Sequence, residues 1–200
     1  MIDWIKSINR EYPDFWNKYV ASFEIKSKEK RYVIISLTKS GTNTEKDVIY
    51  SIGGIAMIGD SILIKDHFEI VLLQYKFLHK NGLSNEFIVE SKKEKQVEPT
   101  AIQSFIEYIG NSTLIGYSVQ EDIEMINFAL EKMHCGKLKN EALDISIMYS
   151  KWKEINENSE VISQLFTLIN LPKNTLLNSS EDAYSIALLF QKLKSRLGIK

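Results

Sequence analysis

"YVIISLTKSGTN", residues 32–43, runs a block of apolar, β-branched residues straight into a polar turn containing Gly41. With Arg31 included, "RYVIISLT" (31–38) is apolar on both faces rather than alternating. That is the pattern of a strand buried on both sides in the middle of a sheet. Enzymes often place reactive groups where a scaffold strand meets a loop. The two residues at this strand end able to do chemistry are Ser36 and Thr38.

Downstream, "DVIYSIGGIAMIG" (47–59) and "SILIKDHFEIVLL" (61–73) are joined at Gly59-Asp60, a hairpin signal, so three strands form an antiparallel meander. The second half changes to a helical period. "PTAIQSFIEYIGN" (99–111) carries Pro99 and Thr100 at its start and apolar residues at 102, 105, 106 and 109. "STLIGYSV" (112–119) is a short buried strand, and "EDIEMINFALEKMHCG" (121–136) is an amphipathic helix expected to end at Gly136. Further helices are expected over 142–155, 161–171 and 181–198, with "NENSE" (156–160) a loop. Strands followed by helix, strand and helices predict an α/β fold with a mixed sheet.

Upstream, residues 1–24 predict a helical extension to a main domain over 25–200. Trp4, Ile5, Ile8, Phe15, Trp16, Tyr19, Val20 and Phe23 recur at helical spacing, and Pro13 opens a second helix. So many aromatics are expected to cover a face of the main domain or of a partner.

Hydrophobic residues at 44% beside charged residues at 26% fit a soluble globular chain, and no run approaches the roughly 18 apolar residues of a membrane span. No membrane association is expected. The charged N-terminus has no small-residue cleavage site, so no secretory signal is expected. Cys135 is the only cysteine, expected as a buried thiol, which suits a cytoplasmic location. Net charge is −1, unlike the basic balance of proteins that hold nucleic acid by charge alone. The basic clusters at 26–31, 91–95, 135–139 and 192–196 are expected to be solvated surface.

The order of these features resembles the DnaQ-like 3′–5′ exonucleases, the DEDD family, with an RNase H-like fold. "SLTKSG" (36–41) stands where that family has D-x-E-T-T-G, with Gly41 matching. Ile52 and Gly53 match its second strand. "LIGYSVQEDIEMINFAL" (114–130) matches G-H-N-x-x-x-D through Gly116 and Asp122, with Tyr117 for His and Ser118 for Asn. "ALDISIMYSKW" (142–152) is similar to its L-D-T helix, and "LNSSEDAYSIALLF" (177–190) matches H-x-x-x-x-D-A through Asp182 and Ala183. The resemblance covers residues 31–190.

The resemblance implies four acids holding two Mg²⁺ or Mn²⁺ ions about 4 Å apart. Two of those positions are Ser36 and Thr38, so Asp122 and Asp182 are the surviving catalytic and metal positions, with weak or absent metal binding expected. Leu177 replaces the general-base His, Asn178 excludes the Tyr variant, and "EFIVESKK" stands near 85–92 where an H-G-I/L turn belongs. No cofactor is expected, or Mg²⁺ or Mn²⁺ if activity persists.

Nearby acids offer no rescue on this reading. Glu121, Glu124 and Glu181 point away from their neighbours' direction on a helix. Glu45 and Asp47 are exposed loop and strand-start residues. His67, His79 and His134 are structural or exposed, and Asp144 is structural or faces the cleft. Asp122 and Asp182 each open a helix, where an acid also suits the dipole, and Ser179 or Ser180 can cap the last helix. The expected function is a catalytically inactive exonuclease-type domain, retained to bind single-stranded nucleic acid or another protein. The alternative is an active metal-dependent exonuclease with an atypical metal site.

Overall fold

Strand β1 (Arg31–Lys39) is the spine of the molecule. In a computed structural model of the chain the described residues are 12–25, 29–73, 94–154 and 179–199. Trp4, Ile5, Ile8, His79, Leu177, Asn178, the stretch near 85–92, the 156–160 loop and the 161–171 helix all lie outside them.

Val33, Ile35 and Leu37 of β1 enter one core cluster, and Tyr32 and Ile34 enter the other. This explains the unbroken apolar run, because each side of the pleat faces its own core. β1 pairs antiparallel with β2 (Ile49–Ile58), which turns at Gly59 (φ 59°) into β3 (Ser61–Leu72). The expected meander is therefore present. On the other side β1 pairs parallel with β5 (Thr113–Gly116). With β4 (Lys95–Gln96) and β6 (Ala142–Asp144) at the edges, the sheet order is β4-β3-β2-β1-β5-β6.

Helix α1 (Asp14–Ser22) begins after Pro13 and buries Phe15, Trp16 and Tyr19 in the first cluster. The Tyr19 hydroxyl donates to Asn140 Oδ1 (2.6 Å) and accepts from the Lys139 amide (2.7 Å). Asn140 in turn donates to the carbonyls of Gly110 (2.9 Å) and Ser112 (2.7 Å). These three aromatics therefore pack into the same core as Val33, Ile35 and Leu37 of β1.

Helix α2 (Glu98–Ile109) has Pro99 in its first turn and buries Ala101, Ile102, Phe105, Ile106 and Ile109. Helix α3 (Val119–Lys132) stops four residues before the expected Gly136. His134 takes the left-handed position (φ 59°), its amide bonding Glu131 O, and the Cys135 amide bonds Leu130 O. This is a Schellman ending with His in the usual glycine place. Gly136 instead makes room for an aromatic ring: a Cβ there would stand 3.1 Å from Trp16 Cζ2. Cys135 is buried as expected, and burial pushes its thiol pKa up.

The expected helix from 142 starts late. Ala142–Asp144 form β6 beside β5, and helix α4 (Ile145–Lys153) follows. Three residues are too few for a period to separate strand from helix.

Helix α5 (Ser179–Leu197) packs Ala183, Ala187, Phe190 and Leu193 into the second cluster. A Cβ on Gly53 of β2 would overlap the Ser179 carbonyl group, so the helix start lies directly on the strand backbone. The 192–196 cluster departs from a solvated surface at Lys194, which is 4% exposed and donates to Gly59 O (3.1 Å) and Asp60 Oδ1 (2.8 Å). Its stem buries while its ammonium ties the hairpin tip to α5. No helix among the described residues is long and apolar enough to cross a membrane.

Candidate functional site

The C-terminal ends of β1 and β5 open on a cleft of about 300 Å³. Crevices outside the carboxyl ends of parallel strands are where α/β sheets bind ligands. Three elements build it. β1 supplies Ser36 and Thr38, paired with Gly53 and Ser51 of β2. The register shifts after Thr38, so Lys39 pairs with Ile49.

α3 supplies Asp122. Its start is held by Ser118 in the left-handed region (φ 48°) and by Asp144, whose Oδ2 accepts from the Val119 amide (2.9 Å). Asp144 Oδ1 accepts from the Ser146 amide (2.8 Å) and hydroxyl (2.6 Å), so one carboxylate caps α3 and α4. Its place is structural. α5 supplies Asp182 in its first turn, set over the cleft by the Gly53–Ser179 contact.

Ser36, Thr38, Asp122 and Asp182 thus line one cleft. Leu177 lies outside the described residues. Tyr117, Ile145, Ile186 and Leu189 make the apolar walls. Asp47 closes the turn after β1, accepting from Ser40 Oγ (2.8 Å) and the Asn43 amide (2.9 Å) in space that a side chain on Gly41 would fill. Glu45 is exposed, and neither His67 nor His134 lines the cleft.

The residue that motif reading missed is Lys39. Its Nζ stands 2.8 Å from Asp122 Oδ1 and 3.2 Å from Glu121 Oε2. The Lys39 side chain is 15% exposed, that of Asp122 7% and that of Glu121 48%. The expectation that Glu121 points elsewhere is corrected: Glu121 lines the cleft, and Lys39 bridges it to Asp122. A sequence signal was available. Lys39 continues the parity of Val33, Ile35 and Leu37, which face the core shared with Val119, Ile123 and Ile126 of α3. A lysine at a core-side position of a strand end needs a buried anion.

Burial pushes the Asp122 carboxyl up to about 6, although the Lys39 charge and hydrogen bond and the Leu37 backbone pull it down. Burial alone would lower Lys39, but Asp122 and then Glu121 outweigh it and hold the ammonium pKa above its ordinary value. Burial, then the neighbouring charge of Glu181, pushes Asp182 up to about 6.

The residues present do not fit a two-metal centre. Ser36 and Thr38 offer neutral oxygens, and the Lys39 ammonium has no electron pair to donate. Among the described residues no three His, Cys, Asp or Glu side chains gather into a metal-holding group.

The sheet order, the helices on both faces and the cleft at the β1 end define a DnaQ-like exonuclease fold of the RNase H-like class. The chain is 23% identical over 117 residues to DNA polymerase III subunit epsilon of Aquifex aeolicus (strain VF5), a match covering 56% of this chain and 55% of that protein. It resembles the zinc-bound form of E. coli exonuclease I in complex with single-stranded DNA, with a TM-score of 0.62 and 12% identity, over 84% of this chain and 41% of the other. It also resembles cell-death related nuclease 4, with a TM-score of 0.64 and 9% identity, over 84% of this chain and 64% of that one. The chain therefore matches about half the length of the curated relative. No protein-family model matches it.

Proposed function

We propose that this chain is an exonuclease-fold module that does not hydrolyse nucleic acid and is retained for binding. The observation that carries this reading is the donor set at the end of β1. Ser36 and Thr38 line the cleft at the positions aligned with metal-holding acids, and two carboxylates, Asp122 and Asp182, remain from the motifs. A hydrolytic centre of this kind needs charge to stabilise the leaving oxygen and a nucleophile made from water, and hydroxyl side chains supply neither.

Charge favours a protein as the partner. Among the described residues that line the cleft, Asp122, Asp182 and Glu121 face one ammonium, that of Lys39, so a phosphate end entering without metal meets net repulsion. A second reading, binding of single-stranded nucleic acid, is favoured by the single-stranded DNA held by the exonuclease I neighbour. A lone buried thiol fits a cytoplasmic setting.

The test is incubation of the full chain with end-labelled single-stranded DNA and RNA in Mg²⁺ and in Mn²⁺, beside Asp122→Ala/Asp182→Ala. The expected result is no trimming in any lane. Metal-dependent trimming by the wild type that disappears in the double variant establishes the competing reading, an active exonuclease with an atypical metal site. Oligonucleotide binding that weakens steeply with salt selects the nucleic-acid reading over the protein one.

A further inference from the structure

A carboxylate as enclosed as Asp122 is costly to ionise unless a cation stands against it. Where the fold implies a metal ion, the group within hydrogen-bond distance is Lys39 Nζ, at 2.8 Å from Asp122 and 3.2 Å from Glu121. Ordinary surface pairs hold both partners in solvent; here the side chains of the central pair are 15% and 7% exposed.

We propose that Lys39 is a built-in replacement for the metal: its ammonium occupies the place at Asp122 that a divalent cation needs, and so excludes it. The proposal rests on the non-hydrolytic reading and gives it a specific cause. Ser36 and Thr38 in place of two acids account for a weakened metal affinity. It leaves Asp122 enclosed without a cation beside it, and Lys39 stands at that place. A divalent ion approaching Asp122 would meet a like charge at contact distance and find one carboxylate oxygen already engaged.

The test is the thermal midpoint of the full chain, with and without Mn²⁺, for wild type, Lys39→Met and Lys39→Met/Asp122→Asn. The wild-type midpoint is expected not to move with Mn²⁺. Lys39→Met is expected to melt roughly 10 °C lower, as for other broken buried pairs, and to recover part of that loss when Mn²⁺ is added. The double variant is expected to recover without metal and to ignore it. Equal stabilisation of wild type and Lys39→Met by Mn²⁺ overturns the proposal, as does a Lys39→Met midpoint that Mn²⁺ leaves unchanged.

If Lys39→Met does not fold, calorimetry with Mn²⁺ on Lys39→Gln and Lys39→Arg serves instead. Binding to the neutral variant alone supports the replacement, and the same result for both overturns it. Trimming of an oligonucleotide by the wild type would sink the functional reading, and it is scored separately from these metal titrations.

Discussion

Gly53 in the middle of β2 lies with its Cα against the carbonyl group of Ser179, the first residue of α5. The glycine is required by this contact and not by an unusual backbone angle. Through it, α5 starts low over the sheet and brings Asp182 to the end of β1. Gly53→Ala forces backbone apart from backbone. Overpacking of this kind costs about 1–3 kcal/mol or more. Urea unfolding is expected to show that loss, together with a changed near-ultraviolet spectrum as α5 shifts.

Asp182→Asn is expected to change how stability depends on pH. Folded Asp182 holds its proton to about pH 6, against an ordinary value of 3.8. Between those values the folded state binds more protons than the unfolded one. The stability contributed by this group is therefore present below about pH 4 and lost as pH rises through about 6. Thermal melts from pH 4 to pH 7.5 should show the variant gaining on the wild type as pH rises. A constant gap across the range would contradict the raised value.

Asp144→Ala removes the acceptor for the first amide of α3 and for the Ser146 amide of α4. Each cap is worth about 1 kcal/mol, so a loss of roughly 2 kcal/mol is expected. Hydrogen exchange should locate the effect at both helix starts together, since one carboxylate serves both.

Tyr19→Phe leaves Asn140 Oδ1 and the Lys139 amide without the hydroxyl that joins them. A cost of about 1–2 kcal/mol is expected. Asn140→Ala should cost more, because Gly110 O and Ser112 O also lose their donor. The double variant should fall short of the sum, measured by chemical denaturation, because the two side chains share one hydrogen bond.

Much of this molecule is local information. The two-sided apolar run at 32–37, the Gly59-Asp60 turn and the apolar spacing over 99–111 each reflect burial through a period that a few residues can express, and each element is found. Ser36, Thr38, Asp122 and Asp182, which the motifs single out, line one cleft. Other features escaped a local reading, β4 and β6 among them. β6 is too short to show a period, and its strand character comes from pairing with Leu114–Gly116. The end of α3 was placed at Gly136 because glycine is the usual ending, whereas the backbone lets His134 take the left-handed position. Lys194 read as one charge among several, and its burial depends on the hairpin tip that α5 passes.

The residue order was thus enough for the meander, the helical second half and the replacement of two acids by Ser36 and Thr38. Tertiary structure alone decided what balances the charge that remains. Lys39 and Asp122 are 83 residues apart in the chain, and no local pattern relates them. They meet because β1 is central and because Asp144 and Ser118 hold the start of α3 beside its end. A lysine beside a turn is ordinary in solvent. Enclosed against a buried carboxylate, it becomes the cation on which the cleft depends.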